Sequence, residues 1–178
     1  MTEKSVAEDN EVFQLVDREG KEIGVAPRSA CHGNPELIHA VVHLHLFNPS
    51  GKLFLQKRSE NKKRYPGYWD TSVGGHVRGG EAITLALARE VKEEIGIDVT
   101  GARFLYSYIY TDNFESEYVN TFVLAYNESL GEIKPDPVEL AGGVFYGFKE
   151  IEALVKKGQV TPTFKREFDK LIEAGLIK

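Results

Sequence analysis

The stretch GGHVRGGEAITLALAREVKEEIGI, residues 74–97, carries most of the information about the fold and chemistry of this chain. It opens with a glycine-bearing loop and continues into a segment without glycine or proline, rich in alanine, leucine, glutamate and arginine. These residue types favour a helix, and Gly96 directly after the segment is typical of a helix C-terminus. The sequence therefore predicts a helix from Glu81 to Ile95, preceded by a loop whose backbone can approach a ligand closely.

Three glutamates of this predicted helix, Glu90, Glu93 and Glu94, lie at positions i, i+3 and i+4. At about 100° per residue their side chains share one face of the helix. An apolar stripe on another face is predicted to pack against a sheet, and it contains Ala88, Val91 and Ile95. Like charges placed together repel one another, and a hard divalent cation such as Mg²⁺ or Mn²⁺ would offset that repulsion. A solvated acidic helix face is the alternative interpretation of the same cluster.

Composition limits the class of protein. The chain has 178 residues, of which 42% are hydrophobic and 11% aromatic, so it can build a core and is not mostly disordered. No apolar run approaches the roughly 20 residues of a membrane helix, and the polar, acidic N-terminal residues do not resemble a secretory signal. The single cysteine, Cys31, fits a reducing cytoplasm, and the net charge of −5 disfavours nucleic-acid binding. We expect one cytoplasmic domain over residues 1–178, with residues 1–10 frayed and no membrane partner.

The remaining chain alternates between short β-like runs and helical stretches. The predicted strands are residues 12–17, 22–28, 36–48, 52–58, Trp69 to Val73, 102–112, 117–127 and 144–150, and the predicted C-terminal helices are residues 150–158 and 162–175. Turn residues between neighbouring runs indicate two hairpins, one across Pro49-Ser50-Gly51 and one across residues 113–116. Strands on both sides of one strong helix predict a mixed α/β fold with a mixed sheet.

Read together, the residues of the opening stretch match one family pattern. The fixed positions are Gly75, Glu81, Arg89, Glu90, Val91, Glu93, Glu94, Gly96 and Ile97, each at the required spacing. This pattern is the signature of the Nudix hydrolases, and the chain therefore resembles that family. The resemblance implies an α/β/α sandwich with a mixed β-sheet. It also implies an enzyme that hydrolyses a diphosphate linked to another group, with divalent metals on the helix carboxylates.

The same resemblance implies roles for individual side chains. Glu90 and Glu94 would be the core ligands of Mg²⁺ or Mn²⁺, and Glu93 a further ligand or the general base. Arg89 would neutralise and orient one of these carboxylates. The resemblance also implies that Gly75 is part of the metal site and that Glu81 and Gly96 have structural roles.

Outside this stretch, the chain from about Leu15 to Tyr126 is similar to the type I isopentenyl-diphosphate isomerases, a branch of the same superfamily. The shared elements are LVD, the pair His32 and His39, the segment RSENKKRYPGYW, the segment SVGGH, and the pair Glu115 and Glu117. This resemblance implies an additional site for Zn²⁺ or Mn²⁺, with ligands His32, His39, His76, Glu115 and Glu117. Arg28, Arg58 and Lys62 align with the basic residues that hold the isomerase diphosphate. His43 and His45 match no isomerase ligand.

Two departures argue against isomerisation. Gly74 occupies the position of the isomerase cysteine, and Thr163, next to Phe164, occupies that of the isomerase tryptophan. The sequence therefore predicts an isomerase-like scaffold with hydrolase chemistry. We expect a Mg²⁺-dependent enzyme that cleaves a diphosphate linkage in a small metabolite, namely a nucleoside diphosphate linked to another group. The alternatives are isopentenyl-diphosphate isomerase activity and a catalytically silent binding module, and the sequence leaves open whether the chain forms a homo-oligomer.

Overall fold

A computed structural model describes residues 11–178, so the expected fraying of residues 1–10 lies outside the described residues. The strands within this range are β1 (Val12–Val16), β2 (Glu22–Pro27), β3 (Ile38–Phe47), β4 (Leu53–Arg58), β5 (Trp69–Asp70), β6 (Val73–His76), β7 (Arg103–Thr111), β8 (Ser116–Ala125) and β9 (Leu140–Tyr146). The helices are α1 (Arg28–Cys31), α2 (Ile83–Ile95), α3 (Phe148–Lys156) and α4 (Pro162–Glu173), with a short 3₁₀ turn at Glu128–Leu130. No helix among these residues is long and apolar enough to span a membrane.

The nine strands of the described residues form a mixed sheet, which agrees with the predicted α/β class. Its main path runs β2-β1-β3-β4-β5. The long strand β3 also pairs with β6 and β8, β8 pairs with β7, and β4 pairs with β9. The ladders of β1 with β2 and of β4 with β9 are antiparallel, whereas the bridge between Trp69 and Val160 is parallel.

The described chain divides into two compact units. The first comprises the residues up to His43 together with Gly74–Glu90 and Phe104–Phe122. Its strands bury two apolar clusters, one around Phe13, Ala26 and Cys31 and one around Val41, Tyr108 and Val119. The first of these clusters lies directly beside the histidines described below, because the Phe13 ring stacks on His76.

The second unit comprises Leu44–Val73, Val91–Arg103 and Val123–Lys178. Helix α4 begins with Thr161 as its N-cap, whose hydroxyl accepts a hydrogen bond from the backbone N–H of Phe164. The same hydroxyl donates to Asp70 Oδ1 at 2.7 Å, so the start of the helix is held by a buried hydrogen bond to β5. Phe164 is itself wholly buried.

Several predicted element boundaries are wrong, three of them clearly. The central helix begins at Ile83 and not at Glu81, because the chain turns first, with the Glu81 N–H donating to the Arg78 carbonyl. The predicted strand Trp69–Val73 is two strands, since the Asp70 carboxylate caps the Thr71 N–H and interrupts the ladder. Gly74 and Gly75 therefore lie inside β6 and do not end it.

The third wrong boundary is at the end of the last strand. β9 starts at Leu140, where it pairs with Arg58, and ends at Tyr146. The chain enters helix α3 directly afterwards, because Glu150 reaches back to the Gly147 N–H in a capping box. The predicted apolar stripe of α2 also changes: Val91 and Ile95 are buried, but Ala88 is only partly buried while its neighbours Ala86 and Leu87 are buried in its place.

Candidate active site

Arg89 on helix α2 is the hub of a compact ion-pair network. Its Nε and Nη2 atoms each donate to the Glu81 carboxylate at 2.8 Å, and its Nη1 donates to Glu90 Oε1 at 2.6 Å. A further bond runs from Nη2 to the backbone carbonyl of His76 at 2.9 Å. Burial opposes the charge on Arg89, but its bonds to both glutamates outweigh that effect and raise its pKa. The bond from Arg89 lowers the pKa of Glu81, so both groups stay ionised.

Gly75 on β6 is packed directly against Glu90. A Cβ atom at this glycine would lie 2.0 Å from Glu90 Cδ and 2.4 Å from its Oε2. The backbone of Gly75 is not in the left-handed region, so the glycine is needed here for space and not for its conformational freedom. The missing side chain thus sets the place of the Glu90 carboxylate.

The other two box carboxylates differ in exposure. Glu93 is exposed, whereas Glu94 is buried, with only 8% of its surface accessible to solvent. The backbone carbonyl of Glu94 accepts a hydrogen bond from the Asp136 N–H at 2.8 Å. Groups of three ligand atoms within 4.8 Å of one another occur twice in the described residues, and neither group contains Glu90, Glu93 or Glu94. These glutamates therefore share a helix face, as the spacing predicts, without forming a closed three-ligand cage.

The histidines and the E-x-E pair, by contrast, lie close together in the first unit. Ligand atoms of His32, His39 and His76 lie within 4.8 Å of one another, and so do those of His39, Glu115 and Glu117. His32 Nε2 is also 3.1 Å from Glu115 Oε2. We call these five residues the imidazole cluster. The structure brings them together from the residue after α1 (His32), from strands β3 and β6 (His39 and His76), and from the start of β8 and the residue before it (Glu117 and Glu115).

His39 is the central member of the imidazole cluster. It is wholly buried, and neither of its ring nitrogens has a hydrogen-bond partner. Burial, together with the nearby His32 and Arg28, lowers the pKa of His39 to about 3, so its ring is neutral near pH 7. A buried neutral imidazole without hydrogen bonds fits a metal ligand, and a set of imidazoles with two carboxylates suits Zn²⁺ or Mn²⁺.

The three basic residues expected to hold a diphosphate all form ion pairs within the chain. Arg28 Nη1 lies 3.2 Å from Glu11 Oε2. Arg58 donates to Asp70 Oδ2 at 3.1 Å and, through Nε and Nη2, to the Arg64 carbonyl, so it fastens the loop after β4. Lys62 is paired with Glu139. Of the three, Arg28 is the one whose charge reaches the imidazole cluster, because it contributes to the lowered pKa of His39.

The structure adds one residue that the sequence analysis did not single out. The ring of Phe13 on β1 lies 3.9 Å from the ring of His76, centroid to centroid, with only 4° between their planes. It also stacks on His39 at 5.1 Å. Nothing in the sequence distinguishes this phenylalanine from an ordinary core residue of a strand, because the contact depends on how β1 and β6 pack.

The two remaining strand histidines, His43 and His45, have different surroundings. His45 is wholly buried, with Nε2 3.4 Å from Glu167 Oε2 and Nδ1 3.3 Å from the Thr71 hydroxyl. His43 is buried on the same strand β3. Neither belongs to a group of ligand atoms in the described residues.

Comparison with known proteins identifies the family. The family model for the NUDIX domain matches residues 37–168. The chain belongs to this family. The match includes the box helix, four of the five residues of the imidazole cluster (all except His32), and most of the sheet.

Curated relatives come from both branches of the superfamily. An uncharacterized Nudix hydrolase from Listeria monocytogenes is 35% identical over 132 residues, which are 73% of this chain and 76% of the relative. An isopentenyl-diphosphate Delta-isomerase from Mycolicibacterium vanbaalenii is 29% identical over 171 residues, which are 93% of each chain. Family membership and the hydrolase relatives make the chain a Nudix pyrophosphohydrolase. Both expected resemblances and the expected enzyme class are thereby confirmed.

Solved structures confirm the Nudix-type α/β fold. A Deinococcus radiodurans crystal structure superimposes with a TM-score of 0.71 at 25% identity and covers 85% of this chain and 92% of that one. A MutT protein from Methanosarcina mazei gives a TM-score of 0.65 at 22% identity, with 82% of this chain and 98% of that one covered. Because its identity is only 22%, the similarity to the Methanosarcina mazei protein shows the fold alone.

Proposed function

We propose that this protein is a Mg²⁺- or Mn²⁺-dependent hydrolase that cleaves the diphosphate linkage of a small metabolite, a nucleoside diphosphate joined to another group. The metal would be held by Glu90, Glu94 and Glu93, with the backbone of Gly75 beside them. The proposal also places the enzyme in the cytoplasm.

One observation carries this proposal, namely the way Arg89 holds the box together. The guanidinium bonds Glu81 through two nitrogens and Glu90 through a third, and Gly75 leaves only enough room for the Glu90 carboxylate beside it. The Glu90 carboxylate is thus held by Arg89 on one side and confined by Gly75 on the other. It is preorganised, as a metal ligand or a catalytic carboxylate has to be. A silent binding module would have no need for that arrangement.

The chemistry follows from these side chains. A divalent ion bound to the carboxylates would supply Lewis-acid activation of the bridging phosphates and of the attacking water. A box glutamate, for which the exposed Glu93 is our candidate, accepts the proton of that water. The water oxygen forms a bond to one phosphorus, and the bond from that phosphorus to the bridging oxygen breaks. The second phosphate leaves with the bridging oxygen.

The test is a panel of nucleotide sugars, dinucleotides, coenzyme A and oxidised nucleotides, assayed with Mg²⁺, with Mn²⁺ and with chelator. We expect metal-dependent cleavage of at least one class, and loss of that cleavage in Glu90→Gln. Glu152→Gln is the matched control, because Glu152 lies on helix α3, outside the candidate site, and pairs with Lys156 one turn along the same helix. Absence of metal-dependent cleavage across the whole panel would contradict the proposal.

A second candidate, isopentenyl-diphosphate isomerisation, is favoured by the assembled imidazole cluster and by the isomerase relatives. Arg28 lies close to that cluster and is the best candidate for a diphosphate contact there. Gly74 opposes this candidate, because a glycine has no thiol to move a proton at the allylic carbon. Formation of dimethylallyl diphosphate from isopentenyl diphosphate by the wild-type protein would decide in favour of the isomerase.

The imidazole cluster is part of the proposal in either case, as a site for Zn²⁺ or Mn²⁺. Its fit to such an ion rests on the buried nitrogens of His39 and on the mixed nitrogen and oxygen donors around them. Arg58 and Lys62 are proposed diphosphate contacts, and their present carboxylate partners, Asp70 and Glu139, would then have to give way to phosphate.

A further inference from the structure

The ring of Phe13 meets the ring of His76 in an unusual geometry. The two rings are nearly parallel at 4°, and their centroids are 3.9 Å apart. Neutral aromatic pairs generally have their centroids roughly 4.5–7 Å apart, because their like-charged faces repel. A parallel pair this close therefore calls for a reason other than packing alone.

Positive charge on the His76 imidazole would supply that reason. The face of a phenyl ring attracts cations, and the attraction grows when both groups are removed from water. A metal ion bound at a ring nitrogen withdraws electrons from the imidazole and makes it electron-poor. The same Phe13 ring already has a cation near it, since the Arg28 guanidinium lies 5.6 Å from its centroid.

We infer that Phe13 is a positioning residue for the imidazole cluster: its face orients His76 and stabilises that ring as a metal ligand. This inference rests on the proposed metal site of the cluster. Phe13 is wholly buried and contacts all three imidazoles, with centroid distances of 3.9 Å to His76, 5.1 Å to His39 and 5.7 Å to His32. Its other neighbours are the apolar residues Ala26 and Cys31, which anchor it on the side of the core.

The stack is held from both sides. Phe13 is fixed in the ladder between β1 and β2, where it pairs with Ala26. The backbone of His76 is fixed by the bond from Arg89 Nη2 to its carbonyl. Because both backbones are anchored, the parallel Phe13 ring limits rotation of the His76 imidazole.

The test uses Co²⁺ as the probe, because its visible absorbance reports ligand type and geometry. His39→Ala first identifies the part of the absorbance that belongs to the imidazole cluster. Phe13 is then replaced by pentafluorophenylalanine, which keeps the shape of the ring but reverses the charge of its face. We expect this change to weaken Co²⁺ binding at the cluster by about 10-fold and to alter its spectrum, in the range known for outer contacts of metal ligands.

Two further variants separate orientation from packing. Phe13→Leu removes the ring and is expected to weaken the same binding at least as much. The matched control is the fluorinated replacement at Phe164, which is also wholly buried but belongs to α4 of the second unit. That control is expected to leave the Co²⁺ spectrum and affinity unchanged.

The outcomes separate this inference from the proposed function. If the wild-type protein shows no Co²⁺ absorbance that His39→Ala removes, the cluster is not a metal site. The inference about Phe13 then falls together with the proposed second metal site, whereas the proposed hydrolase activity is decided by the substrate panel. If the wild type binds Co²⁺ and the fluorinated Phe13 protein binds it with unchanged affinity and spectrum, only the role of Phe13 is overturned.

Discussion

Gly75→Ala is expected to disable the enzyme by moving one carboxylate. The added methyl carbon would lie 2.0 Å from Glu90 Cδ and 2.4 Å from its Cγ. Both atoms lie within the side chain and not at its tip, so a small rotation of the carboxylate does not relieve the clash. The backbone of Gly75 is not left-handed, so alanine itself brings no conformational penalty.

The size of the effect follows from the required displacement. Carbon atoms in ordinary contact are about 3.5 Å apart, so Glu90 has to retreat by about 1.5 Å. Its bond to Arg89 Nη1 is 2.6 Å long and does not survive such a movement. A misplacement of about 1 Å in a catalytic arrangement can cost roughly 100-fold in rate, and we expect a loss of that order in kcat.

The assay is kcat for the best substrate of the diphosphate panel, together with the midpoint of thermal unfolding. Gly79→Ala is the matched control, because its methyl group would lie 2.7 Å from Val25 Cγ1, an exposed side chain outside the candidate site. We expect the control to keep its kcat. A Gly75→Ala protein with the kcat of the wild type would refute the reasoning, since it would mean that the position of Glu90 does not matter.

The remaining predictions concern single side chains. Glu90→Gln and Glu94→Gln should each abolish most hydrolysis and leave the midpoint of thermal unfolding nearly unchanged, because each removes one charge from a metal-binding face. Near-normal turnover of either variant at low Mg²⁺ would show that the replaced residue is not a metal ligand. His39→Ala should lower the content of the second metal in elemental analysis of purified protein, and a wild type without that metal, paired with full activity in the variant, would contradict the site. Gly74→Cys should produce no dimethylallyl diphosphate from isopentenyl diphosphate, because no tryptophan stands at the position aligned with Thr163. Detection of that product from the single variant would show a pocket much closer to an isomerase than its box suggests.

The box helix was predictable because its information is local. A run without glycine or proline sets the helix, and the rotation of about 100° per residue then puts Glu90, Glu93 and Glu94 on one face. The start of the helix was not predictable to the residue. Glu81 belongs to the turn before it, since its partners are Arg89 and the backbone of Arg78, and the strength of those bonds depends on the folded arrangement.

The basic residues illustrate a different limit. Arg58 and Lys62 could be aligned with diphosphate-binding positions, but an alignment does not reveal what else a cation contacts. Arg58 fastens the loop after β4 to Asp70, and Lys62 is paired with Glu139, 77 residues further along the chain. Such partners are set by the packing of segments that are distant in sequence.

The sequence by itself determined the family, the α/β class and the carboxylate face of the helix, because each depends on residue types and spacing over a short stretch. It also named the five residues of the imidazole cluster through their resemblance to another branch of the superfamily. Only the tertiary structure decided that His32 and Glu115 meet at 3.1 Å and that Phe13 stacks on His76. Those contacts join segments that are distant in the sequence, and their geometry is fixed by strand pairing and core packing, which no local pattern encodes.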